Sequence, residues 1–268
     1  MVMKQGSVFS NPRRPAVAGL FYPDDPKALR QMVDGFLEEA PAPAGEAYKA
    51  FILPHAGYLY SGPVAGTGYR CLCVEPDRVR RVVLLGPAHR VAFRGMAISS
   101  HDAFATPLGR VAVDEAAIES IRDLPQVVEL DQAHEREHSL EVHVPFLQVS
   151  LREFQLVPLV VGDARAVEVA EVLDRLWGGD ETCIIISSDL SHYHTYERAC
   201  GLDRETARRI EGLDPVSPEQ ACGAVPLNGL LHVARNRGMT WQLLDLRNSG
   251  DTAGPRDRVV GYGAFAGR

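Results

Sequence analysis

The chain has no apolar run long enough to span a bilayer and no leader-like apolar core behind Met1. A protein with no membrane partner and a cytoplasmic location is expected. Basic residues are outnumbered by acidic ones, 28 to 35, and no Lys/Arg run stands out. That excludes the phosphate footprint of a nucleic-acid binder. Cysteine is scarce and odd in number: Cys71, Cys73, Cys183, Cys200 and Cys222 form no disulfide framework and read as reduced thiols. Cys71 and Cys73 stand too close together for the usual zinc pair. A Gly-x-Ser-x-Gly elbow and a Walker loop are missing, and Gly66-x-Gly68 lacks the third glycine of a dinucleotide fingerprint. There is no internal repeat and no low-complexity segment.

The most informative stretch that is present runs from Thr182 to His194, TCIIISSDLSHYH. Three consecutive isoleucines are β-branched, and the run is too short for an ordinary helix. A strand buried on both faces is predicted. The chain then turns polar at once through Ser187, Ser188, Asp189, Ser191, His192 and His194. Polar groups just past a buried strand stand where open α/β sheets keep their chemistry. A helix cap by Asp189 or Ser188 is the plainer alternative.

Residues 1–14 read as a frayed arm. Pro26 behind two aspartates starts an amphipathic helix to Glu39, with Leu29, Met32, Val33, Phe36 and Leu37 at helical spacing. Strands are predicted at 50–53, 81–85, 127–130, 154–161, 241–246 and 258–265, the fourth broken at Pro158. A hairpin excursion fills 91–113. Helices are predicted from Ser61 to about Leu72, then at 114–122, 164–177, 196–211 and 227–237. One more carries Leu140, Val144, Leu147 and Leu151. The loop 248–257 reads as exposed. Strands alternating with helices give an α/β class: one domain over 1–268, its central sheet mixed but largely parallel, with helices on both faces.

Three predicted strands end in short loops that carry histidine: His55, His89, and His192 with Asp189. If those strands are parallel neighbours, the groups converge on one rim. Imidazoles from separate loops are a common way to hold a transition metal, while each alone reads as a hydrogen-bonded residue. The stretch 134–143 is dense in imidazole and carboxylate. Its His138-Ser-Leu-Glu141-Val-His143 lacks the spacing that sets two zinc ligands on one helical face. It reads either as a helix start with acids near its positive end or as support behind a metal site. Cys222, in Glu219-Gln-Ala-Cys-Gly-Ala-Val-Pro-Leu, reads from local pattern as a small buried thiol.

Six motifs occur together in order. They are Val17-Ala-Gly-Leu-Phe-Tyr-Pro23, Leu53-Pro-His-Ala-Gly-Tyr58, Leu85-Gly-Pro-Ala-His89, Glu137-His-Ser-Leu-Glu-Val-His-Val-Pro-Phe146, Ser187-Ser-Asp-Leu-Ser-His192 and Ala221-Cys-Gly223. In this combination the chain resembles the MEMO family, whose prokaryotic members are called AmmeMemoRadiSam system protein B. The resemblance implies a fold similar to class III extradiol dioxygenase catalytic subunits, with a pocket at the strand ends. It implies a metal site on His55, His89 and Cys222, with Asp189 and His192 lining the pocket. A cysteine stands where the dioxygenases use a carboxylate. The resemblance also implies iron or copper as the metal, a redox role, and association with a radical SAM protein. The animal form binds phosphotyrosine peptides with a Trp where this chain has Phe21, so that property is not carried over.

The leading expectation is therefore a metal-dependent oxidoreductase, iron or copper, acting on a small molecule or peptide. His192 would be its acid/base and Asp189 would orient His192 or bind water. Two alternatives belong to other classes. Two imidazoles, a thiol and a water also make a catalytic zinc set, which would give a hydrolase. An old active-site pocket could also serve a binding module without turnover.

Overall fold

The computed structural model describes residues 9–43 and 47–268. Four strands make its centre: Ala50–Leu53, Thr182–Ser187, Arg81–Pro87 and Gln155–Val161, side by side and all parallel. Nearly every residue in them is buried. That burial explains why they read as continuous apolar runs without alternation, since a parallel sheet is covered on both faces. Beyond Ala50–Leu53 the sheet continues antiparallel through Val259–Gly267, which also pairs with Trp241–Asn248 and His192–His194. Beyond Gln155–Val161 it continues through Met96–Ile98 and Val127–Glu129. The sheet is thus mixed and mostly parallel, as predicted.

Helices Pro26–Glu39, Tyr58–Leu72 and His143–Ser150 pack together on the sheet, and Ala166–Leu176 packs with Ala224–Asn236. The glycines inside Tyr58–Leu72 serve close approach: a Cβ at Gly66 would lie 2.7 Å from the Phe36 carbonyl. This helix begins at Tyr58, one turn before the predicted Ser61, because the Tyr58 amide finds its acceptor on Phe21, far away in sequence.

Four expectations need correction. Pro158 does not break its strand. Residues 156, 158 and 160 turn their backbone groups away from Arg81–Pro87, as the Leu156 carbonyl does in accepting from the Asp114 amide. On that side Met96–Ile98 pairs only from Val160 onward, so the missing N–H of Pro158 breaks no ladder bond. The loop 248–257 is not wholly exposed, for Asn248 and Ser249 are buried at its start. The hairpin at 103–112 is real, but Met96–Ile98 before it belongs to the main sheet.

The frayed arm is the largest correction. The expectation covered 1–14, of which residues 1–8 lie outside the described residues. Pro12–Arg13 forms a short strand beside Ala103–Thr106, and Arg13 is among the most buried large side chains. Its guanidinium donates to the His134 and Glu137 carbonyls at 2.8 and 2.6 Å and to Glu141 Oε2 at 2.7 Å. Glu141 also accepts from the Ala16 and Val17 amides and the Tyr22 hydroxyl. One carboxylate thereby clamps residues 13–22 onto the segment 134–141. Removing one partner of a buried ion pair leaves the other charge stranded, at about 3–5 kcal/mol. Glu141→Ala is expected to lower the unfolding free energy by that order in urea titration; a change within about 1 kcal/mol would mean the clamp is dispensable.

Two other histidines in this region are buried and held neutral. His134 donates Nε2–H to the Ala97 carbonyl, and burial lowers its pKa to about 4. His143 meets the Tyr69 hydroxyl through Nδ1, and burial lowers it to about 3. Unfolded histidine takes a proton near pH 6.5, which the folded sites refuse. Their contribution is therefore whole above pH 6.5 and shrinks as pH falls toward 4 and 3. By pH 5 each histidine has cost about 2 kcal/mol of the stability present above pH 7. The urea midpoint should hold steady above pH 7 and fall between 6.5 and 5; a flat profile over that interval would contradict the assignment.

Candidate metal centre

The parallel register places Leu53 beside Ser187 and Leu85 beside Ile186. The residues just past each strand therefore share one rim. His55 and His89 follow the first and third of these strand ends, and Asp189 follows the second. Cys222 comes from a loop that closes on the same rim. Its amide donates to the Asp189 carbonyl and its sulfur accepts from the Asp189 amide at 3.3 Å. The following helix starts against the strand end itself: the Gly223 amide donates to Ser188 Oγ, and a Cβ at Gly223 would lie 2.6 Å from the Ser187 carbonyl. That proximity is why the helix begins at Ala224 rather than at the predicted Leu227.

His55, His89 and Cys222 each offer a ligand atom, all three within 4.8 Å of one another. His55 Nε2 and Cys222 Sγ are 3.3 Å apart. Donors about 2.0–2.3 Å from a tetrahedral ion stand about 3.6 Å from each other, so the spacing fits a shared ion.

The hydrogen bonds around the rings decide their tautomers. Ser187 Oγ donates to the Ser139 carbonyl at 2.6 Å, so it must accept from His55 Nδ1–H, also at 2.6 Å. Nε2 of His55 is left with a bare lone pair. Burial, with further help from nearby His89 and His138, lowers the His55 pKa well below its ordinary value and keeps the ring neutral. His89 Nδ1–H donates to Glu137 Oε1 at 2.9 Å, which leaves its Nε2 bare as well. His192 donates Nδ1–H to the Leu190 carbonyl at 2.8 Å, with the same result. An imidazole held through Nδ1 with Nε2 left toward the crevice is oriented to bind a metal or take a proton.

Glu137, which the sequence places only within the stretch 134–143 that could support a metal site, is the anchor behind His89. Its Oε1 accepts from His89 Nδ1 and the His138 and Ser139 amides, and its Oε2 from the His89 amide. Burial alone would raise its pKa, but these bonds outweigh it and hold the carboxyl down to about 2. His89, Glu137 and His138 form a second group with metal-ligand spacing. The oxygens of Glu137 are already committed, so that group reads as support for the first. His138 stacks on His89 at 4.7 Å and packs on Phe21 at 4.8 Å. Burial lowers its pKa to about 4. His134-Glu-Arg-Glu-His138 has the spelling of helical zinc sites. Here helix Asp131–Glu135 ends before His138, and His134 faces Ala97 instead.

Asp189 completes the floor. Its Oδ1 accepts from the His55 amide at 2.8 Å, and Oδ2 lies 4.0 Å from His55 Nε2. Burial pushes its pKa up to about 6 in spite of that bond and the neighbouring imidazoles. Burial, then the Asp189 charge, pushes the Cys222 thiol up to about 12. Beside His55, His89 and Asp189 opens a crevice of about 440 Å³, whose lining also includes Phe21, His138 and His192, while Cys222 borders a neighbouring pocket with Pro87 and Ala88 and reaches the donor set from that side.

The Memo-like protein family matches residues 13–266 of this chain. A MEMO1 family protein of Methanothermobacter thermautotrophicus is 35% identical, over 93% of this chain and 98% of its own length. A MEMO1 family protein of Sulfolobus acidocaldarius is also 35% identical, over 93% and 97%. Among solved structures, uncharacterized protein JW3007 from Escherichia coli K12 aligns with a TM-score of 0.49 at 13% identity, covering 81% of this chain and 98% of that one. With the family matched from Arg13 almost to the last residue, the chain belongs to the Memo-like proteins.

Proposed function

We propose that the crevice binds one transition metal ion, iron or copper, on His55, His89 and Cys222, and that the chain is a metal-dependent oxidoreductase acting on a small molecule. The observation that carries this reading is the donor set: three ligand atoms within 4.8 Å, with the tautomers of both histidines leaving Nε2 free. Two imidazoles and a thiolate suit iron, copper or zinc. When bound, the ion supplies Lewis acidity and electron transfer at its open positions.

The chain's own residues supply the rest. Ser187 and Glu137 lock the two rings in their ligating tautomers. His192, fixed through Nδ1 on the Leu190 carbonyl, offers Nε2 as a general base to a molecule in the crevice. Asp189, with its pKa near 6, can hold a proton or release one close to neutral pH. Phe21 and Val260 line the crevice with apolar surface and reduce the access of water.

Protein purified without added metal, or reloaded anaerobically, should carry about one equivalent of iron or copper by elemental analysis. His55→Ala and Cys222→Ala should abolish that content. Glu137→Gln should weaken affinity about 10–100-fold, since the His89 ring loses its anchor. Wild-type protein that stays free of metal after loading overturns the proposal; zinc as the bound ion, with hydrolytic turnover, replaces it with the hydrolase reading.

Binding must also expel the Cys222 proton, because the metal-free thiol titrates only near 12. Apparent affinity should therefore rise about tenfold per pH unit between 7 and 9. Cys222→Ser should flatten that slope, and an unchanged slope would remove Cys222 from the ligand set.

A further inference from the structure

One cation at the mouth of the crevice has no use in the fold. Arg90 directly follows His89, is exposed, and lines the crevice. Among the described residues it makes no hydrogen bond, ion pair or ring contact, and its charge reaches as far as His138. Several surface arginines are engaged, Arg122 with Glu119 and Glu129, Arg175 with Asp123 and Arg237 with Asp174, and among those left unpaired Arg90 is the one in the crevice lining. Arg258 lies over the ring of Tyr193, another residue of the crevice lining.

The carboxylates nearby do not answer this charge. Glu137 is filled by His89 and three amides, and Asp189 is tied to the His55 backbone. The chain as a whole carries −7, so an unpaired guanidinium in the lining beside His55 and His89 is a local positive charge on an acidic protein. Apolar surface is present beside it. Phe21 and Val260 line the crevice, and Tyr193 stands at its rim, 63% exposed, on a left-handed backbone at φ 62°. A bulky residue pays strain to hold that conformation. A guanidinium is a planar fork that matches a carboxylate with two parallel bonds. A single guanidinium sharing its crevice with Asp189 suits one negative charge better than the two of a phosphate ester.

We propose that the crevice selects a small monoanionic carboxylate with a flat apolar body, its carboxylate gripped by Arg90 and its body lying against Phe21 and Tyr193. This deepens the oxidoreductase reading by naming its substrate class, and Arg90 becomes the residue that sets specificity.

The test uses the full chain, stripped of metal by chelation so that a carboxylate cannot bind through the ion. Benzoate and its neutral counterpart benzamide serve as probes, followed by ligand-observed NMR and calorimetry. Benzoate should bind at least about tenfold more tightly than benzamide. Arg90→Ala should lose about that factor for benzoate and leave benzamide unchanged, while Arg90→Lys keeps part of the preference. Equal binding of the two probes, wild-type benzoate affinity in Arg90→Ala, displacement of benzoate by an equal concentration of inorganic phosphate, or no benzoate binding up to about 10 mM would each overturn the proposal. Metal content is measured separately on wild type and Arg90→Ala. Benzoate selectivity in a chain that binds no metal sinks the metal reading and leaves this one standing; one equivalent of metal without benzoate selectivity does the reverse.

Discussion

Four parallel strands sharing one register impose the constraint from which the site follows. In a parallel ladder all strands end on the same side, and here Leu53, Leu85 and Ser187 lie within one row of each other, with Arg81–Pro87 running two residues further. Whatever residue type comes next is forced to that rim. His55, His89 and Asp189 meet there although more than thirty residues separate each from the next along the chain. Their convergence is backbone geometry first and side-chain chemistry second. The carbonyls and amides freed at the strand ends then find partners among the site groups: the His55 amide donates to Asp189, and the Leu53 carbonyl accepts from Ser188.

A second layer turns convergence into a defined chemical state. The segment 134–143 crosses the rim and presents Glu137, His138 and Ser139 to it. Ser139 accepts from Ser187 through its carbonyl and donates to the Pro87 carbonyl through its hydroxyl, which ties two strand ends together. Glu137 reads the ring of His89, and Ser187 reads the ring of His55. The same segment is held from outside by the Arg13–Glu141 clamp, which also brings Phe21 against His138. Stability and site chemistry therefore share residues. A change that loosens the N-terminal arm reaches the wall of the crevice through two contacts.

The electrostatics of the rim follow from burial. Low polarizability around His55 and His138 favours their neutral forms, and the same environment disfavours the ionised forms of Asp189 and Cys222. A buried thiol that resists ionisation beside free imidazole lone pairs is a poor nucleophile and a latent ligand. A divalent cation would stabilise the thiolate that burial opposes.

Much of this architecture was legible in the chain alone. The isoleucine run of Thr182–Ser187, the helices Pro26–Glu39 and Tyr196–Glu211, and the mixed α/β class follow from local periodicity and from strands too apolar to face water. The strand-end positions of His55, His89, His192 and Asp189 were legible for the same reason. Other features depend on partners distant in sequence and have no local signature. Arg13 reads as part of a loose arm until Glu141, 128 residues away, supplies its counter-charge. Glu137 is one acid among several until it meets His89. Cys222 is an unremarkable thiol by pattern, marked only by the family resemblance, and only the closure of its loop on Asp189 brings its sulfur to His55. Local sequence determines which segments become strands and helices because their periodicity is an intrachain property. Which nitrogen of each ring is free, and which acid is already spent, is decided only when tertiary contacts allocate the hydrogen bonds.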